Sequence, residues 1–214
     1  MKIGILGTGV VGHALGTGLT ALGHEVMMGS RDRDNPKLRE WVDLSGPRAA
    51  GGTFAEAADF GEVVVLATLW SATEDVLLAA GADRLAGKVV IDATNPLVFE
   101  PGKPPALALG HTDSGGEQVQ RWLPGARVVK AFNTVGHAHM VNPDFPCGPP
   151  DMFICGDDGD AKEVVTRILT DFGWSTIDIG GIEGARLLEP LCILWVEYGV
   201  RTGTWDHAFK LLRR

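Results

Sequence analysis

The chain has 214 residues, 45% hydrophobic and 21% charged, enough for one α/β domain with a small appendage. Its net charge of −8 argues against nucleic acid and anionic membrane surfaces as partners. No apolar run approaches the length of a membrane span, and residues 1–33 do not read as a signal peptide.

Lys2–Leu6 is a short apolar run of strand length. It leads into Gly7-Thr8-Gly9-Val10-Val11-Gly12, a G-x-G-x-x-G turn. Residues 10–22 follow as a helix, with Val11, Leu15, Leu19 and Leu22 on one face. Gly23 and His24 end it, and residues 25–28 form a second strand. This βαβ start gives the glycine motif the context of a dinucleotide site. Gly7 then permits the bend, Gly9 admits a pyrophosphate, and Gly12 lets the helix pack on the strand. The helix N-terminus offers N–H groups and partial positive charge to the phosphates.

The end of the second strand selects the cofactor. An acidic residue there binds the ribose 2′-OH of NAD. This chain has Gly29-Ser30-Arg31-Asp32-Arg33. Ser30 can donate to a 2′-phosphate, Arg31 can pair with it through its fork of donors, and Arg33 can assist. The expected cofactor is NADP(H); a merely solvated turn is the alternative, because Asp32 sits among the arginines.

Strands and helices go on alternating. Pro36 opens a helix to residue 44, a short strand covers 48–53, and 54–59 is a short helix. Residues 62–68 and 88–92 read as strands buried on both faces, with a helix between them that Ser71 can cap. The pattern implies a Rossmann-type doubly wound, mostly parallel sheet. Its carboxyl edge, where ligands bind, then carries Thr68, Leu69, Trp70, Ser71, Thr94, Asn95 and Pro96 as candidate floor residues for the nicotinamide, the alternative being that Trp70 packs on the sheet and Asn95 makes a turn before proline. Residues 96–113 form a long loop rich in Pro and Gly, 114–123 a helix, and 127–132 a strand that includes Ala131, a further candidate cofactor contact. Asn133 and Thr134 stand at its end. After a second loop at 142–150 come a strand at 152–155, a helix to residue 172 capped by Gly156-Asp157-Asp158, and a last strand at 174–179.

The expected division is a Rossmann domain over 1–180 and a C-terminal helical segment over 181–214, packed on it or on a partner subunit. Pro190 either starts a helix or kinks a longer one. Arg186 and Glu189 can pair along that helix. Lys130 reads as a structural ion-pair partner ahead of a proton donor, and His137-Ala138-His139 lacks further ligands for a metal. Cys147, Cys155 and Cys192 show no metal spacing and fit reduced thiols, so a cytoplasmic location is expected.

The segments GTGVVGHALGTGL, GHEVMMGSR, ATLW, IDATNPL, VVKAFNT, FICGDDGDAK and GARLLEP, in this order, span most of the chain. Together they resemble the NADPH-dependent reductases of the deazaflavin coenzyme F420 and the related NADPH-binding domains of the STEAP metalloreductases. The resemblance implies that Thr8, Ser30 and Arg31 contact NADP phosphates, and that Trp70, Asn133 and Thr134 lie near the nicotinamide and the second substrate. The archaeal reductases carry a His-Thr pair where this chain has Asn133-Thr134. The implied activity is hydride transfer between NADPH and a deazaflavin or flavin-like acceptor; a homodimer is expected from the apolar C-terminal segment, and no metal is expected. Other readings are an NADP-dependent imine or carbonyl reductase, for which the chain is short, and a non-catalytic NADPH-binding or sensing domain.

Overall fold

The computed structural model describes residues 1–214. The first half runs β1 (Lys2–Leu6), α1 (Val10–Ala21), β2 (Glu25–Ser30), α2 (Pro36–Ser45), β3 (Ala49–Thr53), α3 (Phe54–Phe60), β4 (Val63–Leu66), α4 (Trp70–Ala80), the single turn α5 (Ala82–Leu85) and β5 (Val89–Asp92). The second half runs β6 (Leu97–Val98), β7 (Ala106–Leu107), α6 (Gly115–Trp122), β8 (Arg127–Lys130), β9 (Asp151–Ile154), α7 (Gly159–Asp171), β10 (Ser175–Asp178) and α8 (Ala185–Thr202).

Six strands form one sheet in the order β3-β2-β1-β4-β5-β8, and every pairing in it is parallel. Alternate residues of each strand feed two cores. Ile3, Ile5, Val63, Val65, Val89 and Ile91 pack with Leu15 and Leu19 of α1, Trp41 of α2 and Val165 and Leu169 of α7. Leu6, Val64, Leu66 and Val90 pack with Phe54 of α3, Val76 and Leu77 of α4 and Val119 of α6. Helices on both faces make the strands apolar on both sides, the doubly wound arrangement that the sequence predicts.

Three details differ from the sequence reading. The strands β9 and β10 do not extend the sheet. They pair with each other in parallel, and β9 meets β8 only through an antiparallel bridge between Lys130 and Cys155. The reason lies in the connection, which holds one 3₁₀ turn, His137–His139, and no crossover helix. Without a crossover the chain returns in the opposite sense. The loop at 96–113 contains a small antiparallel hairpin, with Leu97 opposite Leu107 and Val98 opposite Ala106. Helix α4 starts at Trp70, so Ser71 falls within its first turn and caps nothing. There Thr73 Oγ1 donates to the Leu69 carbonyl (3.1 Å) and lies 2.9 Å from Thr68 Oγ1. Pro190 lies inside α8, the longer helix of the two readings that the sequence allows.

One cap behaves as the sequence predicts, and a second was not read from it. Asp158 Oδ1 accepts from Ala161 N at the start of α7 (2.7 Å). Thr53 and Glu56 form a full capping box on α3. Thr53→Ala is expected to lose about 1 kcal/mol and to lower the melting temperature by about 2–4 °C, as read by calorimetry.

Helix α8 ends at Gly203, a left-handed residue with φ 70°. The tail then doubles back. His207 stacks on Trp195 with ring centroids 4.6 Å apart, and Phe209 O accepts from Asp151 N of β9 (2.9 Å). No helix is long and apolar enough to cross a membrane.

Candidate functional site

The carboxyl ends of β1, β4 and β5 converge at the glycine turn. Gly7 has φ 129°, and a Cβ there would lie 2.2 Å from the Ala67 carbonyl oxygen. A Cβ on Gly12 would lie 2.3 Å from the Gly7 carbonyl oxygen. Both glycines are thus required by the protein's own packing. Gly9 is different: a Cβ there meets nothing within 4 Å. The space above Gly9 is open, beside the first turn of α1 with its unpaired N–H groups. This cradle, free of protein atoms where a pyrophosphate needs close approach, fits a dinucleotide.

A cavity of about 360 Å³ opens there, lined by Gly7 to Val11, Ala67, Thr68, Leu69, Ala72, Ala93 and Lys37. Seven of the sequence-predicted residues line it: Gly7, Thr8, Gly9, Val10, Val11, Thr68 and Leu69. Lys37 is the addition. It stands in the first turn of α2, directed by Asn35, whose Oδ1 accepts from Lys37 N (2.9 Å). The Pro36 helix start beside the arginine turn was the signal for it.

At the end of β2, Ser30 is buried and its Oγ accepts from Asn35 Nδ2 (2.9 Å). Arg31 is exposed and has no ion-pair or hydrogen-bond partner in the chain. Arg33 pairs with Glu56. Asp32 Oδ1 accepts from Asp34 N (2.9 Å), so it serves the turn itself.

The remaining candidates sit along the edge between β5 and β8. Asn95 and Asn133 bind each other reciprocally: Asn95 Nδ2 donates to the Asn133 carbonyl (2.9 Å) and Asn133 Nδ2 donates to Asn95 Oδ1 (3.0 Å). Asn133 Nδ2 also donates to the Leu188 carbonyl of α8 (3.0 Å), while its Oδ1 is buried without a partner. Thr134 and Ala131 are buried too, with Thr134 Oγ1 4.0 Å from Met152 Sδ. Trp70 is half-buried and stacks on Trp122 (centroids 5.5 Å apart, planes 29° apart). Its ring and Pro96 both crowd Gly115, where a Cβ would lie 3.2 Å from each. The chain turns into this corner through Phe132, whose φ of 63° is an outlier for an aromatic residue. An edge contact with Phe172 (6.1 Å) helps to hold it.

Behind the corner lies a buried ionic cluster. Lys130 Nζ lies 2.9 Å from Asp92 Oδ2, 3.0 Å from Glu189 Oε1 and 2.7 Å from the Thr94 carbonyl it donates to. Lys130 is thus a structural ion-pair partner, the favoured sequence reading. Burial pulls its pKa down, but the two carboxylates more than offset this and the net shift is upward. The expected Arg186–Glu189 pair is not formed. Glu189 faces the sheet edge and accepts from Gly115 N and Gly116 N (2.9 Å each), whereas Arg186 Nε donates to Glu117 Oε2 (2.8 Å). That bond holds the Glu117 carboxyl below its ordinary pKa. His139 Nε2 lies 3.0 Å from Asp206 Oδ1, and no three His, Cys, Asp or Glu side chains are grouped to hold a metal. His137 is exposed and borders a separate groove with His13.

A second cavity, of about 980 Å³, lies between the hairpin and α8, with Leu107, Leu109, His111, Arg186, Leu187, Pro190 and Ile193 among its walls. The hairpin hangs from the chain just past β5, since Ala108 N donates to the Pro96 carbonyl (2.7 Å).

A parallel doubly wound sheet, a strand–glycine turn–helix at its carboxyl edge and an open cradle at the middle glycine define a dinucleotide-binding chain of the Rossmann class. Residues 2–96 match the family described as NADP oxidoreductase, coenzyme F420-dependent. The chain is 31% identical to the F420-dependent NADP reductase of Methanothermobacter marburgensis, over 94% of this chain and 93% of that protein. It is 32% identical to metalloreductase STEAP3 of Rattus norvegicus over 89% of this chain, but spans only 36% of that protein's length. The crystal structure of an Arthrobacter sp. FB24 protein, provisionally named an F420-dependent NADP reductase, superposes with a TM-score of 0.93 at 39% identity, covering both chains fully. The chain belongs to the F420-dependent NADP oxidoreductase family and is an NADP-dependent oxidoreductase, as its motifs imply. A reductive aminase from Aspergillus terreus, 22% identical with a TM-score of 0.66, shares the fold.

Proposed function

We propose that this chain transfers hydride between NADPH and a deazaflavin acceptor of the coenzyme F420 type, with flavins as weaker substitutes. The observation that carries the reading is a pair of cavities, the glycine-turn cavity and a larger one between the hairpin and α8, whose wall residue Ala108 donates from its N to the Pro96 carbonyl. Bound NADPH supplies the hydride, which leaves it as NADP⁺ and reduces the acceptor by two electrons. The protein's task is to hold two flat rings in contact, with reacting atoms about 3–3.5 Å apart. The lining of the first cavity fits that task, because Lys37 is its one ionisable side chain.

In this reading the turn 7–12, Ser30, Arg31 and Lys37 bind the phosphates of NADPH, assisted by Arg33. Thr68, Leu69, Asn95, Pro96 and Ala131 floor the nicotinamide. Trp70 with Trp122 walls the corner, while Asn133 and Thr134 shape it from below. The acceptor ring takes the cavity beside Leu187 and Pro190. Exposed Leu187, Leu194 and Tyr198 on α8 support a homodimer.

The test is stopped-flow oxidation of NADPH with coenzyme F420, FMN and FAD in parallel. Turnover fastest with F420 is expected. Oxidation by a cyclic imine or ketone in place of all three would move the chain to the imine or carbonyl reductase reading. Tight NADPH binding without oxidation by any acceptor would leave a non-catalytic NADPH-binding role.

A further inference from the structure

The buried Asp92–Lys130–Glu189 cluster takes no part in hydride transfer itself. Burying a cation between two carboxylates gains little stability over an apolar contact, but it admits one arrangement where apolar surfaces allow several. Here that arrangement joins the two halves of the site. Lys130 ends β8, Asp92 ends β5, and the Thr94 carbonyl lies two residues before Pro96. Glu189 comes from α8 and also holds the N-terminus of α6 through Gly115 N and Gly116 N. The cluster reaches the site directly: a Cβ on Gly115 would lie 3.0 Å from Glu189 Oε1 and 3.2 Å from both Pro96 and Trp70. The flanking residues of Glu189 work on either side, since Leu188 O accepts from Asn133 and Pro190 walls the larger cavity.

We propose that Lys130 and Glu189 are positioning residues: their ion pair fixes α8 against the strand ends and so sets the distance between nicotinamide and acceptor. The proposal rests on the hydride-transfer reading above. Asp92 anchors the ammonium from the sheet, and its other oxygen accepts from Thr94 N and Thr94 Oγ1 (2.9 and 2.7 Å). The ammonium therefore pulls the loop toward Pro96 and the helix α8 to the same point. Asn133, with both N–H groups committed to Asn95 and Leu188, is the second pin across this seam.

Glu189→Gln is the informative variant. It keeps the size of the side chain but removes the charge facing Lys130, and it turns one oxygen into a donor where Gly115 N and Gly116 N also donate. The dissociation constant for NADPH is expected to stay within about twofold, because the glycine turn does not touch α8. The rate constant for hydride transfer to F420 is expected to fall between about 10- and 100-fold, the scale of a small misplacement of reacting groups. The isotope effect with NADPH deuterated at the transferred position should become fully expressed. Amide exchange of α8 residues 185–195 should accelerate at least about tenfold, with α1 unchanged. A variant that loses NADPH affinity and rate by the same factor, or keeps the wild-type rate and isotope effect, would overturn the proposal. If none of the acceptors oxidises NADPH on the wild-type protein, the hydride-transfer reading fails and takes the ring-spacing role with it. Exchange at α8 that stays at the wild-type level in E189Q overturns the positioning role alone.

Discussion

Arg31→Ala is expected to weaken NADPH binding by about 10- to 100-fold and to leave NADH binding within about twofold. The magnitude is that of one charge-assisted hydrogen-bonded contact, about 1.5–3 kcal/mol. Arg31 follows the last residue of β2 and is exposed with its guanidinium unpaired. Arg33, two residues on, already pairs with Glu56, so Arg33→Ala is expected to cost NADPH no more than about threefold, as for an exposed pair. Asp32, which in the sequence competes with a 2′-phosphate reading, spends its carboxylate on Asp34 N. Titration of protein fluorescence with each nucleotide checks the prediction. Equal losses for NADPH and NADH would remove the 2′-phosphate role from Arg31.

The contrast between Arg31 and Arg33 marks the boundary of what the sequence discloses. Features set by neighbours along the chain were legible. The strand–glycine turn–helix, the strand ends at Thr68 and the Asp158 cap all depend on residues within a turn or two of each other. Features set by distant partners were not. Arg186 and Glu189 stand three apart on one helix, which suggests a pair, yet each prefers a partner from elsewhere: Glu117 lies 69 residues from Arg186, and Gly115, which Glu189 holds, lies 74 residues away. The same holds for β9 and β10. Their apolar patterns identify them as strands, but their separation from the main sheet follows from the helix-free connection before β9. The positive φ of Phe132 has no local signal at all, because it is held by packing against Phe172. Lys37 was within reach, since the Pro36 start fixes it in the first turn of α2, a turn that opens toward the glycine loop.

The three motif glycines are expected to separate into two classes under alanine substitution, and this is the sharpest check on the cradle. Gly12→Ala sets a methyl 2.3 Å from the Gly7 carbonyl oxygen. Backbone on both sides cannot yield without pulling α1 off β1, so the cost belongs at the upper end for overpacking, about 3 kcal/mol. For a chain of this length that lowers the melting temperature by about 6–12 °C. Gly7→Ala carries the same clash against Ala67 and, at φ 129°, backbone strain in addition. Gly9→Ala meets no protein atom within 4 Å, and its melting temperature without nucleotide is expected within about 2 °C of wild type. Its NADPH affinity should nonetheless fall by about 10-fold or more, because the methyl occupies the space through which the pyrophosphate reaches the α1 N-terminus. Calorimetry without nucleotide and titration with NADPH read the two effects independently. If Gly9→Ala bound NADPH as wild type does, the open space above Gly9 would not be the phosphate cradle, and the dinucleotide would have to cross the sheet edge elsewhere.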